Sequence, residues 1–549
     1  MASPKARKYR SAKALPYELS QHCRIYFEEK LYNQGLNLLL SLLSSGTVSS
    51  SPAFIPSPQH LALAATFLIH PSTTTRAKSE EIEQASNLAL QLLQQTNSLV
   101  GPLAANFDAA FTFTHFTKSR GGLKRHHGDP NNPTEPTADI DTEALRFDLA
   151  ESGSLWSRAE DFWHAVGWAF NCSVLHPKRW RRWKLWLQFM CEALEDDWAE
   201  RERQVAESKI TSPSKSRVNL QPLKESLIVK YITAASGVSG QHRRILRAIF
   251  ADGSSTAANE FREVFQNELK ELEKDKDKPK KREADVNIEE EEYGDYLITS
   301  DEEGDEVSSP HGERPKRAKR SRTTLTRGLN ANEDLQIDPS YRSSEVLSSD
   351  QTTYLGDLSS LYLRQRLLQL LSRVSHALGK VFMPLGDLYH LFVDFIRHLP
   401  LPTFQLLVSS PVISGFASEA QTTLGEILLY ALLTSDIPES DDAYLNQDKL
   451  ERCYLPYATN NTSAVDNAKV SIVLESLVRN LASGGLLHAR PSLKQALEKG
   501  IMARAEAADT DTKKGQIKQK AEEMGWLWLI ESGERLTYMV EKLYPQEEN

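Results

Sequence analysis

The chain has 549 residues, of which 40% are hydrophobic and 25% are charged, and its net charge is −9. This length allows roughly two to four domains or one extended helical array, and the negative charge argues against a generally basic nucleic-acid coat. The four cysteines lie far apart without a CxxC pair, which argues against a zinc ribbon or a disulfide framework and favours a reducing compartment. No apolar run approaches the roughly 18 residues of a membrane span, so we expect a soluble intracellular protein without membrane contact.

Residues 1–16 are basic and predict a disordered tail, and residues 17–117 follow a helical pattern. The stretch FEEKLYNQGLNLLLSLL contains Gly35 between two apolar-periodic segments, and HLALAATFLIHP and EIEQASNLALQLLQQT form a second such pair. These pairs resemble tetratricopeptide-like helical hairpins, with the turn at Gly35 and with Phe27 on the packing face. The resemblance implies stacked hairpins, although no 34-residue period is present.

Residues 118–141 are rich in Gly, Pro and Asn and predict a flexible loop before a tryptophan-rich helical block at residues 142–273. Ser157 and Glu160 have the spacing of a capping box and predict a helix start. Pro177 suits the first turn of the following helix because it has no amide hydrogen to leave unpaired.

Seven of the nine tryptophans fall between Trp156 and Trp198. On a helix that starts near Pro177, a single stripe contains Trp180, Trp183, Leu187, Met190, Cys191, Leu194 and Trp198. We therefore predict that the rings are core residues. A protein-binding surface and a base-stacking surface remain the alternatives.

The same helix begins with five cations and carries its acidic residues later. The helix dipole disfavours this arrangement, so we predict that an acidic surface pairs with the cations. Two sources are open, the acidic segment at residues 283–306 and an acidic partner, and we favour the partner. The candidate partner surface comprises Lys178, Arg179, Arg181, Arg182 and Lys184.

Residues 274–349 predict a disordered acidic and basic linker, because large aliphatic residues are too few to offset the entropy of ordering. Residues 283–306 hold twelve acidic residues and no basic one. Ser300 and Ser309 lie in kinase-site patterns and are candidate phosphorylation sites. The run RPKRAKRSR predicts a nuclear localisation sequence that an import receptor binds, formed by Arg314, Lys316, Arg317, Lys319, Arg320 and Arg322.

Residues 350–545 predict a C-terminal helical domain, in which apolar stripes recur at helical spacing. The clearest stripe contains Val470, Val473, Leu474, Leu477, Val478 and Leu481. The pattern over residues 525–540 is compatible with a β-hairpin and with a helix, so both interpretations stay open.

The predicted fold class is all-α, with stacked, α-solenoid-like helical hairpins in two blocks separated by the disordered insert. No nucleotide-binding, zinc-protease or serine-hydrolase motif occurs, so we expect neither catalysis nor a cofactor or metal. We predict a non-enzymatic nuclear scaffold or adaptor subunit of a multiprotein complex that is associated with chromatin or nucleic acid through its partners. The alternative is a protein that binds nucleic acid directly through its basic runs and C-terminal region.

Neutralising Lys316, Arg317, Lys319 and Arg320 together should abolish nuclear accumulation, because an accessible basic cluster is what an import receptor recognises. Fluorescence microscopy of the tagged chain measures this outcome. A second variant should also neutralise the basic residues between Lys5 and Lys13, which form an independent candidate. Undiminished nuclear signal in that double variant would exclude both sequences.

Overall fold

The computed structural model describes residues 9–46, 51–114, 145–211, 219–234, 240–270, 354–409, 418–433, 437–438, 444–509 and 516–543. These residues are mainly helical, which confirms the predicted all-α class. The described residues before 271 and after 353 belong to one compact unit. The predicted loop at residues 118–141 and the predicted linker at residues 274–349 lie outside the described residues.

The first block contains two helical hairpins and a short parallel strand pair. The strands are β1 (Ala12–Ala14) and β2 (Ala53–Ile55). The helices are α1 (Tyr17–Glu28), α2 (Tyr32–Ser44), α3 (Pro58–Ile69), α4 (Glu80–Leu99) and α5 (Phe107–Ala110). The predicted tail is thus ordered from residue 9, where the Arg10 guanidinium donates to the Gly46 carbonyl at 3.0 Å and the Ser51 carbonyl at 2.7 Å.

The turn of the first hairpin lies five residues before the predicted position. Lys30 has a left-handed backbone with a φ of 61°, and α2 begins two residues later. Gly35 lies inside α2, where an added Cβ would lie 3.0 Å from the Phe27 ring. Gly35 therefore allows α1 and α2 to pack closely and does not form the turn.

The tryptophan-rich block surrounds α7 and the long helix α8. Its helices are α6 (Leu155–Arg158), α7 (Phe162–Leu175), α8 (Pro177–Thr211), α9 (Gln221–Lys224), α10 (Leu227–Ala234), α11 (Gln241–Ile249) and α12 (Ser255–Glu260). The predicted capping box is wrong, because Ser154 caps α6 and Asp161 caps α7, where its Oδ1 accepts from the His164 amide at 2.7 Å. The chain breaks between these caps instead of forming one helix.

The second block is mainly helical in its described ranges, with an isolated β-bridge between Leu433 and Thr459. Its helices are α13 (Leu358–Leu378), α14 (Leu385–Ile396), α15 (Leu401–Val408), α16 (Ser418–Leu432), α17 (Gln447–Lys449), α18 (Ala464–Ser483), α19 (Pro491–Asp509) and α20 (Gln516–Glu541). The open choice over residues 525–540 is therefore settled as a helix. Leu536 and Val540, one turn apart on α20, are both buried, as helical spacing requires.

A buried arginine joins the two blocks. Arg364 of α13 has no exposed surface and donates hydrogen bonds to the carbonyls of Ile249, Ala251 and Leu355. Its guanidinium also lies 4.0 Å from the centroid of the Phe170 ring of α7. Burial lowers the pKa of Arg364 to about 9, with the charge of Asp252 acting against that shift. The guanidinium still holds its proton at neutral pH and holds the end of α11 against α13.

Replacing Arg364 with methionine should lower the free energy of unfolding by about 3 kcal/mol, because buried carbonyls lose their donor. The midpoint of urea unfolding measures this change. Arg373→Met is the matched control, since Arg373 is on the same helix but its side chain is 37% exposed and pairs with Glu202. That control should change stability by about 0–1 kcal/mol. Equal effects of the two variants would contradict the role given to Arg364.

Candidate partner-binding surface

The seven tryptophans between Trp156 and Trp198 are core residues, as predicted. Trp163, Trp183, Trp186 and Trp198 have no exposed surface, and Trp156, Trp168 and Trp180 are at most 5% exposed. Base stacking needs ring faces that are open to solvent. These rings are therefore excluded as a nucleic-acid surface, and the basic residues between them have to be considered by themselves.

Arg179, one of the five predicted surface cations, is buried with Glu268. The Glu268 side chain has no exposed surface, and its Oε1 accepts from Arg179 Nε at 2.8 Å and from Arg179 Nη2 at 2.5 Å. Two tryptophans complete the site, since Trp183 Nε1 donates to Oε1 at 2.6 Å and Trp168 Nε1 donates to Oε2 at 3.0 Å. Arg179 also donates to the Ile69 carbonyl at 2.6 Å. It therefore belongs to the interior and not to a partner surface.

The charges around this buried pair shift two neighbouring groups. Burial, together with the charges of Arg179 and Arg76, lowers the pKa of His70 to about 4, so its imidazole is neutral at pH 7. Burial raises the pKa of the Cys172 thiol well above its usual value, and the Glu268 carboxylate raises it further. Both pKa shifts favour the uncharged form of the side chain in this interior. Neither group is placed as a reactive or switching residue at neutral pH.

Arg182 is also neutralised within the chain. It donates to Glu83 Oε1 at 2.6 Å and to Ser86 Oγ at 3.0 Å, both on α4. The acidic groups for Arg179 and Arg182 are thus Glu268 and Glu83. The two predicted sources, residues 283–306 and an external partner, are not needed for these arginines.

Arg181 and Lys184 remain on the outer side of α8. Arg181 is exposed and Lys184 is half-buried, and neither forms an ion pair within the ranges that the structure describes. Lys178 is exposed as well. The candidate partner surface therefore shrinks to these three cations, of which Arg181 and Lys184 lie in the same turn of α8 as Trp180.

Helix α13 runs beside α8 in the same direction. Trp180 Nε1 donates to Asp357 Oδ2 at 3.1 Å, Arg366 forms two hydrogen bonds with Glu195 at 2.7 and 2.8 Å, and Arg373 pairs with Glu202. These contacts also neutralise part of the acidic later half of α8. They place the start of α13 next to the helix turn that carries Arg181 and Lys184.

Large apolar side chains are exposed at this junction. Leu358 and Tyr362 are one turn apart on α13 and are 57% and 49% exposed, and Tyr354 before α13 is 51% exposed. Tyr354 donates to Asp252 Oδ2 at 2.5 Å, while Leu175 at the end of α7 lies against the neighbouring Gly253. We define the α8–α13 surface as Leu175, Arg181, Lys184, Tyr354, Leu358 and Tyr362.

The sequence contained a usable indication of this surface. Leu358 and Tyr362 repeat at i and i+4 but fall outside the buried stripe of α13, which begins at Ser360 and Leu361, so an apolar pair facing solvent was foreseeable. Their position beside Arg181 was not foreseeable, because it depends on the packing of α13 on α8. The predicted localisation residues Arg314, Lys316, Arg317, Lys319, Arg320 and Arg322, and the candidate phosphorylation sites Ser300 and Ser309, lie outside the described residues.

Replacing Glu268 with glutamine should destabilise the fold by about 3–5 kcal/mol, because it leaves the buried Arg179 charge without its anion. The amide nitrogen would also oppose the indole or guanidinium donors. Glu83→Gln is the control, since the Glu83 side chain is 51% exposed and such pairs contribute about 0–1 kcal/mol. Urea unfolding of both variants measures the difference, and an unchanged midpoint for Glu268→Gln would refute it.

No model of a known protein family matches the chain, and no curated protein matches it closely enough to count as a relative. Among the described residues, no three His, Cys, Asp or Glu side chains are grouped so that they would hold a metal ion. No described helix is long and apolar enough to cross a membrane. The geometry of the described surfaces is therefore what supports a function.

Proposed function

We propose that this protein is a non-enzymatic scaffold or adaptor subunit of a nuclear multiprotein complex. The observation that carries the proposal is the α8–α13 surface. Large apolar side chains are exposed around the start of α13, and Asp357 there accepts a hydrogen bond from Trp180, in the turn of α8 that also carries two cations without ion pairs among the described residues. Contiguous exposed apolar groups mark protein-binding sites on soluble folds. Helical hairpins that pack side by side present such surfaces to partners.

The chemistry of the surface indicates an acidic partner with apolar anchors. Tyrosine and arginine are enriched among the residues that contribute most to protein–protein affinity. Arg181 and Lys184 would attract an acidic segment and orient it, while Leu358 and Tyr362 would bury its apolar residues. Three acidic groups near this surface are hydrogen-bonded within the chain. Asp252 accepts from Tyr354 and Asp357 from Trp180. Glu195 accepts from Arg366, whose guanidinium lies 5.7 Å from the centroid of the Tyr362 ring.

The nuclear part of the proposal rests on the basic run at residues 314–322. Association with chromatin or nucleic acid through the partners is consistent with a chain whose seven tryptophans between Trp156 and Trp198 are buried and whose cationic helix start is partly neutralised internally. Direct nucleic-acid binding through the basic runs is the alternative. The two proposals differ in which residues bind and in what they bind.

The variant Leu358→Ser/Tyr362→Ser should lose a copurifying partner while its melting temperature stays close to that of the wild type. Truncation of one such anchor costs about 2 kcal/mol, roughly a thirtyfold loss of affinity. Arg181→Glu/Lys184→Glu should weaken recovery of the same partner, with a larger effect at low salt. Quantitative affinity purification of the tagged full-length chain measures both effects.

Two controls keep this experiment specific. Tyr430→Ser removes a tyrosine that is 80% exposed on α16. Lys224→Glu/Lys380→Glu reverses two exposed cations, one on α9 and one in the turn after α13. Both should retain the partner. If the α8–α13 variants keep every partner at wild-type strength, the surface is not an interface. If the purified chain instead binds DNA with a steep salt dependence, the alternative is supported.

A further inference from the structure

Helix α20 has two apolar faces, and one of them is not covered. Leu529, Leu536 and Val540 are at most 6% exposed on the face that packs against α18. The second face repeats every three or four residues through Trp526, Ile530, Gly533, Thr537 and Glu541. A second stripe at helical spacing is typical of a helix with neighbours on two sides.

This second face borders a groove between α19 and α20 with a volume of about 380 Å³. Ile501 and Ala505 of α19 form the opposite wall, and Ser471 of α18 lies at the floor. Gly533 lies opposite Ile501, since an added Cβ would lie 3.6 Å from Ile501 Cγ2. Ile530 and Tyr538 border the groove and are 54% and 57% exposed.

The groove has the dimensions of a helix-binding site. From Trp526 to Glu541 its α20 wall is about 22 Å long, at a rise of about 1.5 Å per residue, which corresponds to about four helical turns. Leu527 and Met502, which are 57% and 63% exposed, extend the apolar surface next to it. Amphipathic helices bind in grooves of this kind through residues at i, i+3, i+4 and i+7.

The charges at the groove are acidic. Glu534 and Glu541 are its charged lining residues, whereas Arg535 points toward the α18 side and donates to Glu475 at 2.9 Å. The Lys542 ammonium lies 4.6 Å from the centroid of the Tyr538 ring, which shows that this ring face accepts a cation. An occupant with basic residues beside its apolar face would complement both glutamates.

We propose that the groove between α19 and α20 binds an amphipathic helix of a partner protein whose apolar face is flanked by lysine or arginine. This assignment deepens the scaffold proposal and names the partner's chemistry. It concerns other helices than the α8–α13 surface, and the partner there is acidic. Failure at one site therefore leaves the other proposal standing.

The test uses two synthetic helical peptides of about 18 residues with the same leucine stripe, one with lysine and one with glutamate at the flanking positions. Fluorescence anisotropy with the full-length chain should show binding of the lysine peptide and at least about tenfold weaker binding of the glutamate peptide. Glu534→Lys/Glu541→Lys should reverse this preference. Ile530→Glu should abolish binding without lowering the melting temperature, because Ile530 is already half exposed.

The same binding measurement provides the controls, and binding and sedimentation can each contradict the proposal. Glu225→Lys/Glu419→Lys reverses two exposed glutamates, one directly after α9 and one on α16, and should leave the preference unchanged, as should Arg181→Glu/Lys184→Glu. A lysine peptide that does not bind below about 100 μM, or that binds Ile530→Glu equally well, would overturn the proposal. So would a dimer in sedimentation that Ile530→Glu dissociates, because a second copy would then fill the groove.

Discussion

The fold depends on a carboxylate that is completely withdrawn from water. Transfer of Glu268 and Arg179 into the interior costs several kcal/mol per ion, so the pair is tolerated only with excellent geometry and further hydrogen bonds. The structure supplies these bonds through the indoles of Trp168 and Trp183 and through the Ile69 carbonyl. The end of α3, the core of α7, the start of α8 and the segment after α12 thereby converge on one anion.

The pairing of Arg179 with Glu268 also limits which cations of α8 are available at the protein surface. Because Arg179 and Arg182 are neutralised by Glu268 and Glu83, the unfavourable interaction between the cations at the helix start and the helix dipole is partly compensated within the chain. Of the three remaining cations, Arg181 and Lys184 lie in the turn of α8 that Trp180 joins to the start of α13, where Leu358 and Tyr362 are exposed. The groove of α19 and α20 has the opposite charge. The two surfaces would therefore select partners of opposite sign, a simple means for one chain to keep two ligands in separate places.

Local patterns in the sequence predicted much of the helical frame. The stripes of α13 and α18, the start of α8 at Pro177 and the burial of the tryptophans follow from spacing that is visible within one helix. The Arg179–Glu268 pair does not, because its partners are 89 residues apart. The turn was wrongly predicted at Gly35, because close packing against Phe27 and turn formation both favour glycine. The exposure of Ile530 depends on which helices surround α20, and spacing alone cannot give that.

Two consecutive residues of α8 bind the residues on either side of the chain segment between Glu268 and Asp357. Arg179 binds Glu268 on one side of it, and Trp180 binds Asp357 on the other. The entropy of closing a loop grows slowly with its length, and each doubling costs only about 0.6 kcal/mol. Insertions and deletions between these two attachment points should thus be nearly neutral for the helical frame. Because Arg179 and Trp180 are neighbours on α8, the two attachment points stay together whatever number of residues lies between Glu268 and Asp357.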